Sequence, residues 1–171
     1  MLCALLAHDG GYNLKLLLVG LALFPLLYAS QERPSDAPIP KQHEGDRFIG
    51  EWKLNTEKSS RVGIESETIK IETRGSEYRF EYDQALENGT VLRWWFVTDM
   101  KGECVKQTQK NGEPMSSQSC VLRLDANRFV DNTLLAKYEY EVSRDGQRMT
   151  VHRTLLHTKA ALVFDRAATS N

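Results

Sequence analysis

The first candidates for chemistry in this chain are its soft ligands and nucleophiles. Four histidines, His8, His43, His152 and His157, and three cysteines, Cys3, Cys104 and Cys120, make up that set. His152 and His157 lie five residues apart in or near one strand, so they point to opposite faces, while His8 and His43 lie far upstream. A zinc site needs three or four converging ligands, and these do not converge. Cys104 and Cys120 lack the C-x-x-C spacing of a redox or metal pair. No H-E-x-x-H, no G-x-S-x-G, no glycine-rich phosphate loop and no nucleophile–base constellation occurs. The acidic residues are plentiful, but nearly all are expected on alternating, solvated faces, and nothing selects a pair for acid–base work. The chain is expected to be no enzyme and to carry no metal and no cofactor.

The aromatic residues say more. TVLRWWFVT places Trp94 and Phe96 on one face and Trp95 on the other, beside Arg93. Tyr78, Phe80 and Tyr82 alternate with charged residues in EYRFEYD, as do Tyr138 and Tyr140 in KYEYEVS. Arg153 interrupts the apolar face Met149, Val151, Leu155 of RMTVHRTLL. An inward arginine needs an anionic or carbonyl partner, unless it stands at a rim.

These residues must be positioned by strands. Helical periodicity is hard to find, while period-two alternation recurs, as in SETIKIET, where Ile69 and Ile71 oppose Lys70 and Glu72. Turn signals separate the runs: Arg74-Gly75, Asn88-Gly89, Lys101-Gly102, Asn111-Gly112 and Asp145-Gly146. The pattern predicts an all-β fold, an antiparallel up-and-down barrel of about 8–10 strands, since closure hides the sheet edges. An open sandwich is the alternative. In a barrel, Tyr78, Phe80, Tyr82, Trp94, Phe96, Tyr138, Tyr140 and Arg153 face the lumen as candidate ligand-binding residues, for a small hydrophobic or amphipathic molecule. The same residues also suit a packed core, and both readings stay open. Trp95 with Arg93 either forms an exposed interaction patch or is covered.

Cys104 and Cys120 are symmetric about Gly112. If Asn111-Gly112-Glu113 is a three-residue hairpin loop, they fall opposite each other on adjacent strands and form a disulfide.

Upstream of the strands, Leu16 to Tyr28 is an apolar run of 13 residues behind Lys15. It is short of the ~20 residues of a transmembrane helix and fits a secretory signal peptide over residues 1–30; an uncleaved anchor is the alternative, so any membrane link runs through the leader. Residues 1–13 carry Asp9 and no positive charge, a poor n-region that suggests a true start near Leu14. Residues 31–47, with three prolines, read as a flexible tether, residues 48–166 as the domain and residues 167–171 as a disordered tail. The net charge is −1, from 22 Lys+Arg against 23 Asp+Glu, and loss of Lys15 and Asp9 with the leader leaves 21 against 22, still −1. That balance offers no footprint for nucleic acid. The leader and the two remaining cysteines place the protein in the periplasm or outside the cell.

GEWKLN at the domain start, SRDGQRMTVHRT later and ALVFDR at the end together resemble a family of secreted bacterial lipocalin-like proteins of largely uncharacterised function, from about Gly50 to Arg166. The resemblance implies that Trp52 packs across the closed end of the barrel, that Arg166 covers it, and that Gly50 turns the chain into the barrel floor. It also implies non-catalytic binding of a small, partly hydrophobic ligand. The alternative is a filled barrel acting as a protein-interaction or envelope-structural module.

Overall fold

The computed structural model describes residues 45–168. Ten strands follow in order: β1 (Gly50–Leu54), β2 (Ile64–Arg74), β3 (Glu77–Leu86), β4 (Val91–Thr98), β5 (Lys101–Gln109), β6 (Pro114–Arg123), β7 (Arg128–Asn132), β8 (Ala136–Val142), β9 (Arg148–Leu155) and β10 (Thr158–Arg166). Each pairs antiparallel with the next, and β1 pairs β10, so the sheet closes into an up-and-down barrel rather than a sandwich. The alternation read from the sequence is the inside–outside pattern. Ile69, Ile71, Tyr78, Phe80, Tyr82, Phe96, Tyr140, Val142, Met149 and Val151 are buried.

One end is closed. Trp52 is fully buried there, and its Nε1 donates to the Phe48 carbonyl at 2.9 Å. The Arg166 guanidinium lies 4.2 Å over the Trp52 ring and donates to the carbonyls of Ile49, Gly146 and Arg47. Gly50 is needed beneath it for two reasons. Its φ is +140°, and a Cβ would stand 2.4 Å from Arg166 Nη1. Phe48 meets Phe129 edge-on at 4.9 Å, and Phe80 stacks on Phe96 at 5.1 Å. The lower barrel is therefore packed solid.

The structure shifts several boundaries. Residues 45–47, expected in the tether, belong to the closed end. The Asp46 side chain is only 5% exposed and meets Arg123 Nη1 at 2.6 Å. Tyr78 Oη donates to Asp46 Oδ2 at 2.6 Å, and the Phe48 N–H donates to Oδ1 at 3.2 Å. Burial alone would raise the Asp46 pKa, but the hydrogen bonds from Arg123, Tyr78 and Phe48 outweigh it and hold the carboxyl below its ordinary value. The leader 1–30 and the tether up to residue 44 lie outside the described residues. Ala167, expected in the tail, donates its N–H to the Glu51 carbonyl; residues 169–171 lie outside the described residues. Lys101-Gly102 is not a turn but the start of β5; the chain reverses at Asp99–Met100, with Met100 at φ +59°.

Cys104 and Cys120 are registered opposite each other on β5 and β6 and joined, with Cα atoms 4.0 Å apart. The hairpin is not the three-residue loop expected. Four residues, 110–113, join the strands, and the register slips between Lys106 and Thr108. It slips again between Lys101 and Cys104, so the symmetry about Gly112 holds only from Cys104 to Lys106. Cleaving the bond is expected to destabilise the barrel by about 3 kcal/mol, because it frees a short loop in the unfolded chain. Urea unfolding with and without reductant measures this, and coincident midpoints would show that the bond contributes nothing.

Candidate functional site

The upper half of the barrel is not filled. A cavity of about 400 Å³ opens between the inner faces of β2 to β10, beneath the β7–β8 turn. Of the sequence-derived ligand-binding residues, Tyr82, Trp94, Phe96, Tyr138, Tyr140 and Arg153 line it. Tyr78 and Phe80 do not. They face inward as expected, but they stand too near the closed end. Tyr78 reaches down to Asp46 and Arg123, and Phe80 is enclosed between Phe96 and Phe129. Alternation tells in from out, but it does not tell height along the barrel.

The floor of the cavity is aromatic. Tyr82 stacks on Trp94 at 4.7 Å, and Tyr140 stacks on Phe129 at 4.2 Å. The Tyr82 and Tyr140 hydroxyls meet at 3.2 Å. Burial pushes both phenols well above their ordinary pKa, so they stay neutral. Ile64, Ile69, Val151, Leu155 and Leu162 supply apolar wall, and Leu134 and Leu135 stand exposed at the mouth.

A polar band crosses these walls, and most of it escaped the sequence reading. Glu67 is buried and accepts from Gln84 Nε2 at 3.0 Å. Burial raises its carboxyl to about 7, against the opposing pull of Gln84 and the Arg153 charge. Asp131 is buried and raised to about 6, mainly by desolvation, although Ser119 and the Cys120 N–H lower it. Gln107 Nε2 donates to Ser119 Oγ at 2.8 Å, and Ser119 Oγ donates to Asp131 Oδ2 at 2.9 Å. The acids therefore do not all sit on solvated faces. Glu67 shares its parity with Ile69 and Ile71, so alternation carried its signal; β7 buries three residues in a row, Phe129, Val130 and Asp131, so alternation gave none for Asp131. Arg153 faces the lumen from β9, and among the described residues no hydrogen bond or close ion pair holds it.

The expected interaction patch is largely covered. The Arg79 guanidinium lies 4.2 Å over the Trp95 ring, leaving the indole half-buried, and Arg93 is exposed but paired with Asp83 at 2.7 Å. The cover among the described residues is a neighbouring side chain on β3. Among the described residues, no group of His, Cys, Asp and Glu side chains is placed to hold a metal ion.

No family model matches this chain, and no curated protein matches it. Solved structures do. A fatty acid binding protein of Schistosoma mansoni in complex with arachidonic acid superposes with a TM-score of 0.53 at 14% identity, covering 71% of this chain and 97% of that one. The fatty-acid-binding protein 1 of Echinococcus granulosus gives 0.53 at 11% identity, covering 71% and 98%. The wild-type fluorescent protein UnaG gives 0.51 at 14% identity, covering 71% and 98%. At such identities the likeness is one of fold: this chain shares with them a closed, antiparallel up-and-down β-barrel, here of ten strands.

Proposed function

We propose that this chain is an exported, non-catalytic binding protein that holds a small, partly hydrophobic molecule in its lumen. The observation that carries the reading is the cavity of about 400 Å³, apolar and aromatic on most sides, with a few polar groups set into its wall. Ligand sites in barrels have this volume and this mixture. Burying ligand surface there contributes about 25 cal/mol per Å² before the losses of association. The fold neighbours support the reading, since several are named for fatty acids. The filled-barrel interaction module is the weaker reading, because the upper lumen is open and Arg79 covers Trp95. Export rests on the apolar run from Leu16 to Tyr28 and agrees with the Cys104–Cys120 bond.

Ala136 faces the cavity mouth from β8. Ala136→Trp is expected to weaken binding of a neutral fluorescent probe, N-phenyl-1-naphthylamine, by at least about tenfold, an order set by pocket occlusion. Trp95→Ala, on the outer face, is expected to leave it unchanged. Fluorescence titration reads both. Undiminished binding by Ala136→Trp would place the probe outside the lumen.

A further inference from the structure

Asp131 holds a position that folding alone does not explain. Its residue is 96% buried, reading 4% exposed, and it lines the cavity. Oδ2 is satisfied by Ser119, whereas Oδ1 has no hydrogen-bond partner. Buried polar atoms are nearly always partnered, and leaving one unpaired is costly. The Cys120 N–H lies close enough to favour the charged carboxyl, but it makes no hydrogen bond to Oδ1. In register, Asp131 lies opposite Tyr138, and Tyr138 lies opposite Arg153. Arg153, two strands away, makes no hydrogen bond to it, and its charge acts on Glu67 and Tyr138 instead. Glu67, the second carboxyl of the cavity, is occupied with Gln84.

The charges of the cavity point the same way. Two carboxyl groups, Glu67 and Asp131, line it against one guanidinium, Arg153. A ligand carboxylate would add a third acid to this enclosure and set lone pairs against Asp131 Oδ1. An ammonium or hydroxyl would instead donate to that oxygen, and an ammonium would favour the ionised form of the carboxyl it meets.

We infer that the lumen selects amphipathic molecules whose polar end donates hydrogen bonds, a primary alkylammonium above all, and disfavours fatty-acid carboxylates. The donor sits on Asp131 Oδ1, the chain lies along the aromatic floor, and Arg153 limits rather than creates the affinity. This inference rests on the lumen-binding reading above.

The test uses three ligands of one chain length, dodecylamine, dodecanol and dodecanoate, each below its micelle concentration, displacing N-phenyl-1-naphthylamine from the mature protein. Dodecylamine is expected to bind at least about tenfold tighter than dodecanoate, with dodecanol between, the scale of one charge-assisted hydrogen bond. Asp131→Asn can keep an acceptor for Ser119 and turn its amide N–H₂ to the cavity, so it is expected to abolish or reverse the preference. Arg153→Met removes the opposing cation and is expected to widen it. Equal or tighter binding of dodecanoate overturns the inference while leaving lumen binding intact. A preference that survives Asp131→Asn also overturns it, because the donor would then be read elsewhere. Failure of the probe and all three ligands to bind overturns the lumen-binding reading itself and this inference with it.

Discussion

Trp52→Ala is expected to destabilise the barrel by about 3–5 kcal/mol, the range for emptying a buried aromatic site. The indole is fully buried at the closed end, under the Arg166 guanidinium at 4.2 Å. Its removal opens a void beneath that guanidinium and leaves the Phe48 carbonyl without its Nε1 donor. The surroundings cannot collapse easily, because Arg166 is tied to three backbone carbonyls. A fall in Tm on the order of 10–20 °C corresponds to this loss in a domain of this size. Trp52→Phe keeps most of the volume and is expected to lose about 1–2 kcal/mol, chiefly the hydrogen bond and its desolvated acceptor. Urea unfolding of the two variants beside the parent chain measures both. If Trp52→Ala shifted the midpoint by less than about 1 kcal/mol, Trp52 would not be sealing the barrel.

Glu67→Gln is expected to stabilise the protein at pH 8 and to leave it unchanged at pH 4. Burial raises the Glu67 carboxyl to about 7 from an ordinary 4.5. The folded state therefore binds that proton more tightly than the unfolded chain does. Between about pH 4.5 and 7, stability from this group rises as pH falls. Above pH 7 the full penalty of a buried carboxylate is present; below pH 4.5 both states are protonated and the penalty is gone. At 1.36 kcal/mol per unit, the difference is about 3 kcal/mol. Glutamine keeps an oxygen for the Gln84 donor and does not titrate. Asp131, raised to about 6, has the same sign, but it is present in both proteins and cancels in the comparison. Asp46 has the opposite sign, because its carboxyl is held below the ordinary value and contributes stability that is lost in acid. Denaturant midpoints at pH 4, 6 and 8 read the effect. Parallel curves for the two proteins across that range would mean that Glu67 carries no buried charge.

The legible part of this site was its parity. Tyr82, Tyr138 and Tyr140 alternate with charged residues, and every one of them faces the lumen. Glu67 obeyed the same rule and was passed over, because a carboxylate is expected on the wet face. Asp131 was missed because the short run RFVDN of β7 carries too few alternations to read as a strand on its own. Tyr78 and Phe80 were placed on the correct face at the wrong height. Height depends on strand tilt and on the register between neighbours, and neither is written in the alternation of a single strand.

The fold class and the cysteine pair were legible in local periodicity and spacing: period-two alternation between turn signals, and two cysteines symmetric about Gly112. The closed end came from the resemblance carried by the Gly50–Trp52 start and the Arg166 finish, not from periodicity. Three features needed the folded barrel to be seen: it is packed below and open above, Arg79 lies over Trp95, and Asp131 Oδ1 stands unpaired in the cavity wall. The Arg79–Trp95 contact depends on the register of one strand pair, and the cavity on volumes contributed by several strands at once, which no single strand's alternation records.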